Sequence, residues 1–159
     1  MPKRTAKRPV GKKTKATAAD AELILKLYDL RREEKMREAR DFMGLGFWPQ
    51  SVEEIMEVAT AAGTDANRHF RQVLGYWEMA ASLVAHGALN GDLYESCAGE
   101  MFFIYAKFRP HLGKLRKELG QPTFLQNIEA VAERSPERVK MISDRVAKIG
   151  AMRRAAAAR

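Results

Sequence analysis

The residues of this chain that could do chemistry are few and scattered. Its histidines are His69, His86 and His111, and none has a glutamate three residues before it. The HExxH frame of zinc enzymes and the Glu-x-x-His frame of di-iron bundles are both missing. Asp65 and His69 lie one helical turn apart and could hold two positions of a metal shell, but a helix-start carboxylate beside a surface histidine is the plainer reading. Cys97 is the single cysteine, which excludes an intrachain disulfide and a cysteine-built metal centre. It would serve as a nucleophile only with a base nearby in space. Its place between Leu93 and Met101 on an apolar stripe predicts a small buried hydrophobe instead.

Gly44-Leu45-Gly46 has neither the lysine of a phosphate loop nor the third glycine of a dinucleotide fingerprint. Ser51, Ser82, Ser96, Ser135 and Ser143 lack the glycine frame of a nucleophile elbow. Glu53, Glu54 and Glu57 crowd one segment, where a solvated helix face explains them. No catalytic residue, metal ligand or cofactor is expected, and the sequence gives no reason to propose an enzyme.

Charge is the stronger signal. The formal net charge is +8, yet all twenty acids lie between Asp20 and Asp144. Residues 1–16 carry Lys3, Arg4, Lys7, Arg8, Lys12, Lys13 and Lys15, and residues 145–159 carry Arg145, Lys148, Arg153, Arg154 and Arg159, with no acid in either. The body between them is mildly anionic and the ends are cationic. Apart from the initial Met1, residues 1–16 hold one bulky apolar residue, Val10, with two prolines and a glycine. Such a segment cannot bury enough surface to offset chain entropy, so a disordered basic tail is expected. Its seven cations are the candidate polyanion site, binding nucleic acid without base readout; a merely solubilising tail is the bland alternative. Lys3-Arg4, Lys7-Arg8 and Lys12-Lys13 also weakly match a nuclear import patch, which matters only in a eukaryote.

Aromatic residues supply the other candidate site. Trp77, Phe102 and Phe103 could line a ligand pocket, although stripe periodicity favours a packed core. A buried Trp77 needs a partner for its indole N–H. Phe47-Trp48, beside a Gly/Pro break, either clamps the first two helices or stays exposed as a contact patch.

These residues need elements to hold them, and every periodic stretch is helical. A charged fraction of 30% with 46% hydrophobic residues is globular in balance. Thr17 to about Met43 forms the first helix, with Leu23, Leu27, Leu30 and Phe42 inward and the charged middle from Arg31 to Asp41 solvated. Glu33–Arg37 and Arg37–Asp41 form favourable four-residue pairs there. Gly44, Gly46 and Pro49 break that helix. Ser51 starts the next with Glu54 completing a capping box, and Gly63 stops it. A third runs from Thr64 or Asp65 to about Ala85, its stripe made of Phe70, Val73, Trp77, Ala80 and Val84, widened by Leu74 and Ala81. A fourth starts near Gly91 with Leu93, Cys97, Met101, Ile104 or Tyr105, and Phe108 on one stripe; being apolar on several faces, it should be central. Pro110 ends or kinks it, with helical continuation through Leu119. Residues 123–134 and 136–155 give two more helices, Pro136 suiting a first helical position.

The last helix carries Val139, Ile142, Val146, Ile149 and Met152 at three- and four-residue steps between cations. Packing on its own bundle or self-association is expected for it, ahead of a membrane surface or another protein's groove. The longest uncharged stretch, Met79 to Gly91, is too short to span a bilayer, and no apolar run follows the basic start. A cytoplasmic location is the default.

The segment from Gly75-Tyr76-Trp77-Glu78 through His86-Gly87, with Leu93-Tyr94 and Tyr105-Ala-Lys-Phe-Arg-Pro110, resembles small bacterial helical proteins grouped as a domain of unknown function. The resemblance covers about residues 68–130. It implies a helical fold and a bacterial source, and brings no established activity and no site residues.

The expectation is an all-α, irregular bundle of about five to six helices: a basic tail over residues 1–16, a bundle over 17–134 and a basic amphipathic helix over 135–159. Functionally it is a non-enzymatic interaction or accessory protein whose tails bind nucleic acid or another polyanion, with a helical ligand-binding or enzymatic domain near Trp77 as the alternative.

Overall fold

The computed structural model of the chain describes residues 15–158. Lys3, Arg4, Lys7, Arg8, Lys12 and Lys13 lie outside the described residues; Lys15 lies within them and is exposed. All regular structure among the described residues is helical: α1 (Ala18–Arg32), α2 (Glu34–Asp41), a π-helical turn (Phe42–Gly46), α3 (Val52–Thr60), α4 (Asp65–Ala85), α5 (Gly91–Cys97), α6 (Gly99–Phe108), α7 (Leu112–Glu118), α8 (Gln126–Ala132) and α9 (Pro136–Ala157). These nine α-helices exceed the five or six expected, because two long expected helices are broken.

The first break is at Glu33. Thr17 begins α1 with a complete capping box, its Oγ1 accepting from the Asp20 N–H and Asp20 Oδ2 accepting from the Thr17 N–H. At Glu33 the backbone turns extended, and the Glu33 carboxylate caps α2 by accepting the Met36 N–H at 2.8 Å. No glycine or proline announces this. The break rotates α2 so that Met36 and Ala39 are buried and Arg40 turns inward. The charged stretch is therefore not simply solvated, and the observed local ion pair is Lys35–Glu38. Leu27 is buried as expected, whereas Leu30 is exposed.

The second break is at Ala98. It divides the expected fourth helix and shifts the phase of its stripe, so that Tyr94, Ala98, Met101, Phe102 and Tyr105 are buried. Cys97 is exposed, not a core residue. The turn at Arg109–His111 then separates α6 from α7.

Two helices form the spine. α4 buries the expected stripe from Phe70 to Val84 and packs against α2, α3, α5 and α8. α6 packs against α8 on one side and α9 on another, burying Met101, Phe102, Ile104, Tyr105 and Phe108. Polar side chains from the spine finish their neighbours' ends. Asn67 Nδ2 donates to the carbonyls of Val58 and Ala59 at 2.9 Å each, closing α3. Glu78 accepts the N–H groups of Asn127 and Ile128 at 2.9 and 3.0 Å, capping α8 from across the bundle. Ser51 Oγ accepts the Glu54 N–H, but Glu54 reaches back to the Gln50 N–H, one residue short of a full box.

Lys107 does the same for the π-helical turn. Its ammonium, almost wholly buried, donates to the carbonyls of Met43, Gly44 and Phe47 and lies 5.0 Å from the Trp48 ring centre. Phe47 stacks on Phe42 and meets Phe70 and Phe108, so it clamps the turn onto the spine. Trp48 reaches further than the expected clamp, packing edge-on against Phe103 and under Arg153 of α9. α9 lies on the bundle through Val139, Val146 and Gly150, and Met152 is exposed rather than part of this stripe. Gly150 is required there: a Cβ would sit 2.9 Å from Trp48 Nε1. No described helix is long and apolar enough to cross a membrane.

Candidate functional site

α1 is only half embedded. It is fixed near both ends by polar contacts rather than by a deep apolar seam. Near its start, Asp20 Oδ1 accepts the Asn90 N–H at 2.7 Å, at the cap of α5. Near its end, Tyr76 Oη donates to the Leu27 carbonyl at 2.7 Å and Arg31 Nη2 meets Glu100 Oε2 at 3.0 Å. Thr17, first by side chain and then by backbone, holds the Asp20 carboxyl below its usual range, with the Asn90 N–H adding to this.

Between these attachments lies a cleft of about 420 Å³. Its walls are Ile24, Leu25, Leu27, Tyr28 and Arg31 from α1, Tyr76 and Trp77 from α4, and Tyr94, Cys97 and Ala98 around the α5–α6 junction. Leu25 and Tyr28 stand exposed at its rim. The volume falls within the range of small-molecule sites, and the pattern of apolar walls with few convergent polar groups is the usual one.

One end of the cleft is charged. Glu100 receives Arg40 through Nε, at 3.0 and 2.8 Å to its two oxygens, and through Nη2 at 2.6 Å. It also receives Arg31 and, at 3.3 Å, the Trp77 indole N–H. The Arg31, Arg40 and Glu100 side chains keep only 16%, 26% and 18% of their exposure, so solvent screens them weakly. Two guanidiniums share this one carboxylate, and Asp41 acts on Arg40 from farther off. The Glu100 hydrogen bond raises the Arg40 pKa above its ordinary value. The Arg31 guanidinium also lies over the Trp77 ring, 5.0 Å from its centre.

Of the aromatic candidates, the structure puts Trp77 in this cleft and the two phenylalanines elsewhere. Phe102 is core, its ring covered by the Arg138 guanidinium at 4.1 Å. Phe103 faces Trp48. Asp65, considered beside His69, pairs with Arg68, while His69 lies against Phe42. Sequence reasoning missed the contribution of α1 altogether. The available signal was Leu25 and Tyr28, three residues apart and just outside the inward stripe, followed at the same step by Arg31.

A family described as "Domain of unknown function (DUF4760)" matches residues 16–135, a span that ends where α9 begins. No curated protein and no solved structure matches the chain.

Proposed function

Because the chain belongs to the DUF4760 family, whose description assigns no activity, we propose from its geometry that it is a non-catalytic binding module taking a small apolar ligand between α1 and the α4–α5 wall. The observation that carries this is the cleft itself: about 420 Å³ of mainly apolar space with a part-buried ion-pair cluster at one end. Residues 17–134 would be the binding body and residues 135–159 an accessory helix, in a cytoplasmic protein. The test uses Cys97, the only cysteine, exposed and on the cleft wall. A thiol reagent should modify it readily in the free protein, and a short-chain alcohol such as octanol should slow that reaction saturably. A rate indifferent to every apolar ligand sinks the proposal.

Charge segregation favours a second activity by the ends of the chain. Seven cations over residues 1–16 against an acid-bearing body support loose association with nucleic acid or another polyanion. Seven phosphate contacts would give a log–log salt slope of about −6. Duplex binding that is salt-independent, or unchanged after removal of residues 1–16, argues against the tail.

A further inference from the structure

We infer that the ligand of this cleft is a monoanion with an apolar tail, its carboxylate seated on Arg31; this rests on the binding role proposed above. Arg31 is the one charged residue on the walls, and no acidic side chain lines them. Of the other polar groups there, Tyr76 Oη is engaged with the Leu27 carbonyl, the Trp77 N–H with Glu100 and Tyr94 Oη with Met101 Sδ, while the neutral Tyr28 stands exposed at the rim. Arg31 differs. It shares its carboxylate with Arg40, and its Nε is buried with no hydrogen-bond partner among the described residues. A buried donor left unmatched is costly, and a guanidinium fork matches a carboxylate in shape and charge.

The same features reject other occupants. The chain's own start is cationic, with Lys3, Arg4, Lys7, Arg8, Lys12 and Lys13, and would meet Arg31 as a like charge. A polyphosphate needs several cations, and the walls offer one among aromatic and aliphatic groups. A single carboxylate on an alkyl tail satisfies both the charged end and the apolar length of the cleft.

Octanoate, octanol and octylamine, matched in tail and differing in head, test this on the full chain. Protection of Cys97 from a thiol reagent and isothermal titration give the affinities. The expected order is octanoate, then octanol, then octylammonium, with octanoate about tenfold or more ahead of octanol, as one charge-assisted contact provides. Arg31→Gln should bring octanoate down to the level of octanol, and Arg31→Lys should restore part of the gap. Equal affinity of the three overturns the anion assignment while leaving the cleft as an apolar site. Failure of all three removes both. If Arg31→Gln does not fold, the head-group series on the unmodified protein decides alone. Sedimentation at several concentrations covers the remaining case: Cys97 protection that follows protein concentration and ignores octanoate means a second copy occupies the cleft, and overturns the inference.

Discussion

Arg40 grips Glu100 with three hydrogen bonds across sixty residues of sequence, and this pair determines where the last turn of α1 lies. Arg40 also donates to the Arg31 carbonyl at 3.2 Å, so one side chain ties α2, α6 and the end of α1 together. The cleft exists because this polar knot holds α1 above Trp77 without packing it flat.

Glu100→Gln should destabilise the fold by about 2–3 kcal/mol. Removing one member of a buried ion network leaves the others desolvated and unpaired, an effect of about 3–5 kcal/mol when burial is complete; the residual exposure here lowers it. Urea denaturation followed by far-ultraviolet circular dichroism measures the change. A loss under 0.5 kcal/mol, the ordinary scale of a surface pair, means the knot is not structural.

Trp77→Ala should cost about 3–5 kcal/mol, whereas Trp77→Phe should keep most of the packing and lose chiefly the bond to Glu100, about 1 kcal/mol or somewhat more. The comparison is read from paired denaturation midpoints. Equal costs for the two variants would show that ring volume contributes little.

Lys107→Met should destabilise by about 3 kcal/mol, since the carbonyls at the π-helical turn lose a buried donor. Thermal melts of the variant check it. Loss of protection at Phe47, whose N–H closes the turn on the Phe42 carbonyl, should appear in hydrogen exchange.

Stability should rise from pH 8 toward pH 10 and fall above it. Burial, helped by Arg153, pushes the Lys107 pKa down to about 8. Between that value and its unfolded value of 10.5 the unfolded state binds the extra proton, so stability climbs as pH rises. Tyr76 is pushed by burial up to about 12, and burial raises Tyr105 and Tyr94 as well. Their contribution is intact below pH 10 and is lost as pH rises through their folded values. Lys107→Met should abolish the rise and keep the fall, which denaturation midpoints taken at intervals from pH 7 to 11.5 would show.

The parts of this fold legible in the sequence are those where local pattern and tertiary packing agree. The α4 stripe from Phe70 to Val84 is buried as its periodicity implies, and Pro136 starts α9. The breaks at Glu33 and Ala98 are different in kind. Residues flanking Glu33 are good helix formers, and the chain bends there so that Arg40 and Arg31 can reach Glu100, a residue far along the sequence. Cys97 looks internal only if one helix runs unbroken past it. The cleft was half visible: Trp77 stands out by type, but its opposite wall belongs to α1, whose outward Leu25 and Tyr28 read locally as surface. Which faces are left apart is settled by ion pairing between distant segments, and no short window of sequence contains that information.

The extended linkage at Glu33 also makes the molecule vulnerable at one known peptide bond. Arg32, exposed and immediately ahead of it, is a trypsin site in a segment with a single buried apolar anchor, Leu27. Brief digestion should nick the chain there before any bond in α4 or α6, and a molecule wedged beneath that strap should postpone the cut.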